Sequence, residues 1–319
     1  MAETGKNIER AAELLAQGQL VAIPTETVYG LAANALNEKA VLAVFEAKQR
    51  PFFDPLIIHV PSIEAAKHYA IFSDERLLKL AQAFWPGPLT LLLPKKENVP
   101  DLVTSGLKEV AVRVPNHQLT LQLLERIRLP LAAPSANPFG YVSPTQPEHV
   151  EKQLGHAVAY ILDGNASNVG IESTIVGVED GRLCVFRLGG LPIEDIEKVS
   201  GPVELRVNSS SNPRSPGQLK SHYAPKKPLL LGNAGKLLSA NSNKKVALLS
   251  FGKDYFSAPN IHVYNLSRMG NLEEAALNLF RFLRQADDSD ADLVICETLP
   301  DEGLGRAIND RLRRAAGNA

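Results

Sequence analysis

Residues 23–60 read IPTETVYGLAANALNEKAVLAVFEAKQRPFFDPLIIHV. An apolar strand predicted over residues 19–24 breaks at Pro24. A hydroxyl-rich turn (Thr25, Glu26, Thr27) comes next and closes at Gly30, which has access to backbone angles closed to other residues. Asn37 then caps a helix, because Ala40, Val41, Val44 and Phe45 define one apolar face. Pro51 disfavours helix at the residue before it, so the helix ends there and leaves Lys48 and Arg50 at its C-terminal pole, where cations suit the helix dipole. On an anonymous helix such charges would be solvated. Here the next element is a short, buried-looking strand over residues 56–60 that carries His59. Two cations, a Pro-Phe-Phe-Asp-Pro turn and a histidine form a rim for an anionic ligand, and a second stretch is needed to decide between these readings.

That second stretch is LAAPSANPFGYVSP, residues 131–144. A short apolar strand runs into Pro134, and Ser135-Ala136-Asn137 stands before another proline. Proline fixes the backbone and removes a donor, so Ser135 and Asn137 are presented on a rigid loop rather than spent as helix caps. PTETVYGL (24–31), Lys48-Gln49-Arg50-Pro51 and Ser135-Ala136-Asn137 together resemble the YrdC-like family, the L-threonylcarbamoyl-AMP synthases. The resemblance continues through GIESTIV (170–176), FRLGG (186–190), SPGQLKSHYAP (215–225) and GLGRAINDRL (303–312). Nearly the whole chain is covered, and the pattern is that of the longer, two-domain branch. The fold it implies is α/β: an open twisted mixed sheet followed by a small Rossmann-like α/β domain.

Length and composition agree with two domains. The chain has 319 residues, 45% hydrophobic and 22% charged, which is ordinary for a globular protein. Its formal charge of −1 supplies no global basic field to recruit nucleic acid. Cys184 and Cys296 lie in apolar strand-like runs without metal or redox spacing and read as reduced core residues of a cytoplasmic protein. The N-terminal residues do not form a secretory signal, and no stretch approaches a membrane span.

Along the chain, helices are predicted over residues 7–16, 62–69, 74–84, 117–128 and 149–154. Strands are predicted over 89–93, 110–114, 159–162, 172–178 and 183–187. Alternation without a strict one-to-one order argues for a mixed sheet, with ligands at the loop ends of its strands. Arg113 sits within a valine-rich strand and either snorkels at its end or holds an anion. Residues 206–227 hold five cations (Arg206, Arg214, Lys220, Lys226, Lys227) and no acids. Serine and proline content suits a tether, but a loop this long that carries His222 and Tyr223 reads as a lid over a phosphate-bearing ligand. From Pro228, strands alternate with helices in the manner of a small parallel α/β unit without a Gly-x-Gly-x-x-Gly loop. The predicted division is therefore 1–205 catalytic, 206–227 lid and 228–319 Rossmann-like.

No nucleophile elbow, metal helix or Walker loop is present in the sequence. What remains is cations plus hydroxyls, the kit for aligning reactants and neutralising charge in phosphoryl or nucleotidyl transfer. The resemblance implies an enzyme that takes L-threonine, bicarbonate (or carbon dioxide) and ATP to threonylcarbamoyl-AMP and pyrophosphate. By the same resemblance, Thr27, His59, Arg113, Ala133 (through its backbone) and Ser173 hold threonine. Arg50, Asp54, Glu109, Ser135, Ser143, Arg187 and Tyr223 hold ATP, and Lys48, Arg50, Ser135 and Asn137 form the catalytic wall around the phosphates. Magnesium is expected on the ATP phosphates rather than in a protein cage. Asp54 stands where the family usually has Asn, and is expected to meet magnesium or the ribose. The product is expected to pass to tRNA-modifying transferase machinery, with direct tRNA binding weak or absent and no membrane partner. The competing reading is an RNA-binding module without ATP chemistry; near-zero net charge and 6% aromatics stand against it.

Overall fold

The computed structural model describes residues 2–207, 214–216, 222–252, 255 and 258–317. Two sheets organise them. The larger has eleven strands, in the order Glu3–Gly5, Tyr160–Leu162, Val21–Ile23, Gly30–Asn34, Leu131–Ala132, Ile57–His59, Glu109–Arg113, Leu89–Pro94, Thr174–Glu179, Arg182–Arg187 and Glu204–Leu205. Its pairings mix parallel and antiparallel, which makes it the mixed sheet expected from the sequence. The smaller sheet has four strands, all parallel, in the order Leu229–Leu231, Leu293–Cys296, Val246–Ser250 and Ile261–Asn265. Cys184 and Cys296 are buried free thiols. No helix of the described residues is long and apolar enough to cross a membrane.

The opening motif folds as local chemistry dictates, with one exception. The Asn37 side chain accepts from the Lys39 and Ala40 N–H groups and starts the helix Glu38–Lys48, whose buried face is Ala40, Val41, Val44, Phe45 and Lys48. Gln49 ends it in the left-handed conformation (φ 52°), so the chain turns and Arg50 is buried instead of continuing along the exposed face. The exception is Gly30. It does not close a turn at positive φ; it begins the strand Gly30–Asn34. A Cβ there would lie 3.2 Å from the Ala133 Cβ, so glycine eases the close approach of this strand to the Ala133 loop.

Several short elements have no local pattern to announce them. The strand Glu3–Gly5 is polar and three residues long, and exists through its parallel register with Tyr160–Leu162. The helices Asp101–Thr104, Ile193–Ser200 and Ala234–Ala240 are likewise additions. The helix expected over residues 62–69 is a single turn, Ile63–Ala66, and Asp74 rather than Ser73 caps the helix Glu75–Phe84.

The two sheets share one core. A continuous apolar cluster takes in Leu31, Val44 and Leu91 of the large sheet region together with Leu249, Phe280 and Cys296 of the C-terminal region. The backbones approach closely across this junction at Gly170 (φ +84°), where a Cβ would fall 2.4 Å from both the Ala276 carbonyl oxygen and the Leu277 Cα of the helix Leu272–Asp288. Polar contacts flank it: Tyr141 Oη donates to Asp287 Oδ2 (2.6 Å) and Arg306 pairs with Glu194 (2.6 Å).

A contrast between two glycines tests this junction. Gly106 also has positive φ (+77°) but open space around it. Gly106→Ala should therefore cost only the left-handed strain, on the order of 1–2 kcal/mol. Gly170→Ala adds overpacking against backbone and should cost roughly twice as much or more, read as the shift in urea midpoint of the two variants.

Candidate active site

A cavity opens beside the strands that carry His59 and Arg113. It is lined by residues of the Thr25–Gly30 turn, the Ala133–Ser135 loop, Glu172 and Ser173, Arg187, and the segment contributing Pro216, His222 and Tyr223. Parallel register places His59 directly opposite Arg113, so the two side chains enter from neighbouring strands at one level. Both are buried. Burial, reinforced by the Arg113 charge, lowers the His59 pKa to about 3, so the imidazole is neutral throughout the physiological range.

Arg113 is neither snorkelling nor unpaired. Its Nη1 donates to Thr27 Oγ1 (2.9 Å), its Nε donates to the Gly87 carbonyl (3.3 Å), and its Nη2 lies 2.7 Å from Glu26 Oε2. The last contact is at ion-pair distance without hydrogen-bond alignment, and both Glu26 oxygens otherwise lack a partner among the described residues. A guanidinium carries five N–H donors. Two are hydrogen-bonded and Nη2 faces Glu26 at ion-pair distance only, which leaves two for a bidentate carboxylate. Thr27 is itself set by the Thr25 hydroxyl (2.8 Å), and Ser173 Oγ by Thr90 Oγ1 (2.7 Å). Thr27, His59, Arg113, Ala133 and Ser173 thus stand in one wall.

Arg50, Ser135, Arg187 and Tyr223 line the same cavity. Arg187 Nε donates to the Ser173 carbonyl and Nη2 to Ser173 Oγ (both 3.0 Å), with Nη1 donating to the Pro216 carbonyl (3.4 Å). Among the described residues it has no carboxylate within salt-bridge distance, and burial lowers its pKa to about 10. Tyr223 is buried at a positive φ of 62°, stacked on Phe280 (5.6 Å between centroids), and burial raises its pKa to about 12.

Five sequence-predicted residues are buried or engaged behind this wall. The Lys48 ammonium donates to the Ser135 and Asn137 carbonyls, and burial, with Arg50 nearby, pushes its pKa well below the usual lysine range. Asn137 Nδ2 donates to the Pro138 (2.8 Å) and Tyr141 (2.9 Å) carbonyls, which holds the loop's own shape. Ser143 Oγ donates to Glu172 Oε1 (2.5 Å). Glu109 Oε2 pairs with Arg214 Nη2 (2.6 Å), within the predicted lid segment. Asp54, expected to meet magnesium or the ribose, is fully buried and lies outside the cavity lining, 2.9 Å from Arg50 Nη2. Its charge answers Arg50, since Arg50 would otherwise be desolvated alone. Of the predicted lid, residues 208–213 and 217–221, including Lys220, lie outside the described residues.

Sequence reasoning misses the acids of this site. Glu26 and Glu172 sit inside the quoted motifs PTETVYGL and GIESTIV, so the motif boundaries carry the signal. Arg311 sits likewise inside the quoted GLGRAINDRL, whereas Arg284 gives no signal, because on its helix it reads as an ordinary surface cation.

With the geometry in place, similarity to known proteins is specific. The Sua5–YciO–YrdC family model, described as telomere recombination, matches residues 13–189, and the model described as threonylcarbamoyl-AMP synthase, C-terminal domain, matches residues 191–317. The chain belongs to the Sua5/YrdC family. Threonylcarbamoyl-AMP synthase of Pyrococcus abyssi is 40% identical over 97% of this chain and 94% of its own length. The Bacillus subtilis protein of the same name is 39% identical over 97% and 93%. The crystal structure of P. abyssi Sua5 complexed with L-threonine covers 100% of this chain and 98% of its own, at 39% identity and a TM-score of 0.92. The likeness to that Sua5 structure extends over both the mixed sheet and the smaller parallel sheet.

The histidine in this family site generates an acid-lability prediction. Its folded pKa, about 3, lies below the ordinary value of 6.5, so protons bind the unfolded chain first as pH falls. Stability attributable to His59 is intact above pH ~6.5 and is lost progressively below it, by about 2 kcal/mol at pH ~5. His59→Gln should flatten the slope of unfolding free energy against pH between ~6.5 and ~4 by close to one proton, measured by urea titrations at successive pH values.

Proposed function

We propose that the chain is a threonylcarbamoyl-AMP synthase, converting L-threonine, bicarbonate or carbon dioxide, and ATP into threonylcarbamoyl-AMP and pyrophosphate. The observation that carries this reading is a single cavity with two guanidiniums in different states. Arg113 has two donors left beside a neutral histidine, and Arg187 has no carboxylate of its own among the described residues. The first suits an α-carboxylate, and the second suits a triphosphate.

In this reading Thr27, His59, Arg113, Ala133 and Ser173 hold threonine. The neutral His59 does not repel the substrate amine as an imidazolium would. The amine nitrogen bonds to carbon dioxide with release of one proton and becomes a carbamate. A carbamate oxygen then attacks the α-phosphorus, and the bond to the bridging oxygen breaks with its electron pair leaving on pyrophosphate. Arg50, Ser135, Arg187 and Tyr223 align the nucleotide and neutralise charge in this step. Holding both reactants in register can lower the barrier by roughly 7–11 kcal/mol. Lys48 and Asn137 act through the loop whose carbonyls and turn they hold, and Glu109, Asp54 and Ser143 act from behind the wall. Every carboxylate described at the cavity is engaged: Asp54 with Arg50, Glu26 with Arg113, and Glu172 with Ser143 and Arg311. The donor set therefore does not suit a resident metal, and magnesium enters with the substrate as MgATP.

Residues 206–227 serve as the lid between a catalytic unit at 1–205 and the Rossmann-like unit at 228–319. With Pro216, His222 and Tyr223 in the wall, the cavity volume is about 50 Å³. Ligand sites typically offer about 300–1,000 Å³, so the lid must withdraw to admit ATP. The product is a mixed anhydride that hydrolyses readily, and it passes to a transferase acting on a tRNA adenosine, without direct tRNA binding here.

Pyrophosphate release by the purified chain tests the reading. Release should require both L-threonine and bicarbonate, with L-serine as the control amino acid. Arg187→Met and Arg50→Ala should each reduce kcat/KM for ATP by about 10²-fold or more, the scale of losing a preorganised charge contact. Arg113→Lys should raise the KM for threonine by about tenfold while leaving that for ATP near its original value. Threonine-independent release would assign the cavity to another acceptor, and no release with ATP still bound would overturn the synthase reading.

A further inference from the structure

Arg311 lies on the last helix, Gly303–Ala315, outside the large sheet, yet it is the largest fully buried side chain of the described residues. Nε donates to Glu172 Oε2 (3.2 Å), and Nη1 donates to Asp310 Oδ2 (3.0 Å). The guanidinium carbon stands 5.2 Å from the centroid of the Tyr223 ring. Burial opposes its charge, but Tyr223, Glu172 and Asp310 outweigh burial and hold its pKa above the ordinary value. Its Nη2 is buried without a hydrogen-bond partner among the described residues.

The contacts converge on one part of the cavity. Glu172 uses its second oxygen to accept from Ser143 Oγ (2.5 Å). The Ser143 backbone carbonyl in turn accepts from Arg284 Nε (3.2 Å), on the helix Leu272–Asp288. Phe280 of that same helix stacks on the Tyr223 ring, 5.6 Å between centroids. The C-terminal region thus fixes Glu172, Ser143 and Tyr223. The hydrogen bonds and ion pair of Arg113, by contrast, go to Thr27, Gly87 and Glu26, all within the large sheet region.

A buried arginine is an expensive way to fill space. Apolar side chains of similar volume usually match or exceed the stability of a buried ion pair. Stability alone therefore does not account for Arg311. We propose that Arg311 is a positioning residue for the nucleotide half of the cavity: it fixes Glu172, through it Ser143, and the face of Tyr223, and so sets the affinity for ATP but not for threonine. This rests on the reading of the cavity as an ATP and threonine site, and it gives the C-terminal domain a part in nucleotide binding.

The test uses the full chain and the variants Arg311→Met, Arg311→Lys and the double variant Arg311→Met/Glu172→Gln. Steady-state pyrophosphate release gives KM values for ATP and threonine. Calorimetry gives the affinity for a non-hydrolysable ATP analogue, and thermal unfolding gives stability. Arg311→Met strands the Glu172 charge and should lower the melting temperature, whereas the double variant removes that charge and should restore it. The KM for ATP should rise about tenfold in both, and about threefold in Arg311→Lys, with the KM for threonine within about twofold of the original. Recovery of ATP affinity together with stability in the double variant would overturn the proposal and leave Arg311 a packing residue. Parallel loss of ATP and threonine affinity would overturn it as well. If Arg311→Met does not fold, the lysine and double variants carry the same comparison. Absence of threonine-dependent release from the unmodified chain would instead refute the synthase reading, and analogue affinity across the variants would still decide the role of Arg311.

Discussion

Four guanidinium groups buried around one cavity are the constraint on which the rest of the site depends. Arg50, Arg113, Arg187 and Arg311 are each less than a tenth exposed. Removing a charge from water costs several kcal/mol unless a partner compensates it. Three of the four have a carboxylate, supplied from three different places: Asp54 four residues along the chain, Glu26 from the turn after the strand Val21–Ile23, and Glu172 from the loop before Thr174–Glu179. Arg187 is the remainder. Its bonds go to the carbonyl and hydroxyl of Ser173 and the carbonyl of Pro216, which satisfy its donors without cancelling its charge. Arg187 is therefore the one of the four without a carboxylate among the described residues, and an anionic substrate supplies the partner it lacks.

Neutral groups do the complementary work. His59 and Lys48 both sit where burial and a neighbouring arginine disfavour protonation. Lys48 stitches the helix Glu38–Lys48 to the Ser135–Asn137 loop through the Ser135 and Asn137 carbonyls, and the neutral imidazole of His59 adds no charge to the cavity. Exclusion of water strengthens every remaining electrostatic contact. Pro216, His222 and Tyr223 line the cavity, and Phe280 and Arg311 of the C-terminal region both stand against the Tyr223 ring.

Much of this is legible in the sequence, for identifiable reasons. The helix after Asn37 carries its own cap and its own apolar face, so local rules are enough for it. The strands bearing His59 and Arg113 are short apolar runs, and their side chains meet because the parallel register places them opposite one another. The pairing of charges is not legible. Nothing in the local pattern connects Glu26 with Arg113, or Glu172 with Arg311, which is 139 positions away. Gly30 shows the same limit from another side. Local rules assign it to backbone freedom, but the close approach is to Ala133, which those rules cannot bring near.

Asp54 illustrates the error of reading a charge in isolation. A carboxylate near a triphosphate looks misplaced unless a cation or metal claims it. The structure puts it out of the wall, at ion-pair distance from Arg50 and fully buried. Arg50 also donates to the Asp54 and Pro55 carbonyls (3.0 and 2.8 Å), so its guanidinium is fixed by backbone and does not depend on the carboxylate for its position. An asparagine at this place would keep that backbone hold and withdraw the neutralising charge. The difference between the two residues is then a matter of how much positive potential Arg50 shows to the cavity. Asp54 lowers it in this chain, which leaves Arg187 as the dominant uncompensated charge facing a nucleotide.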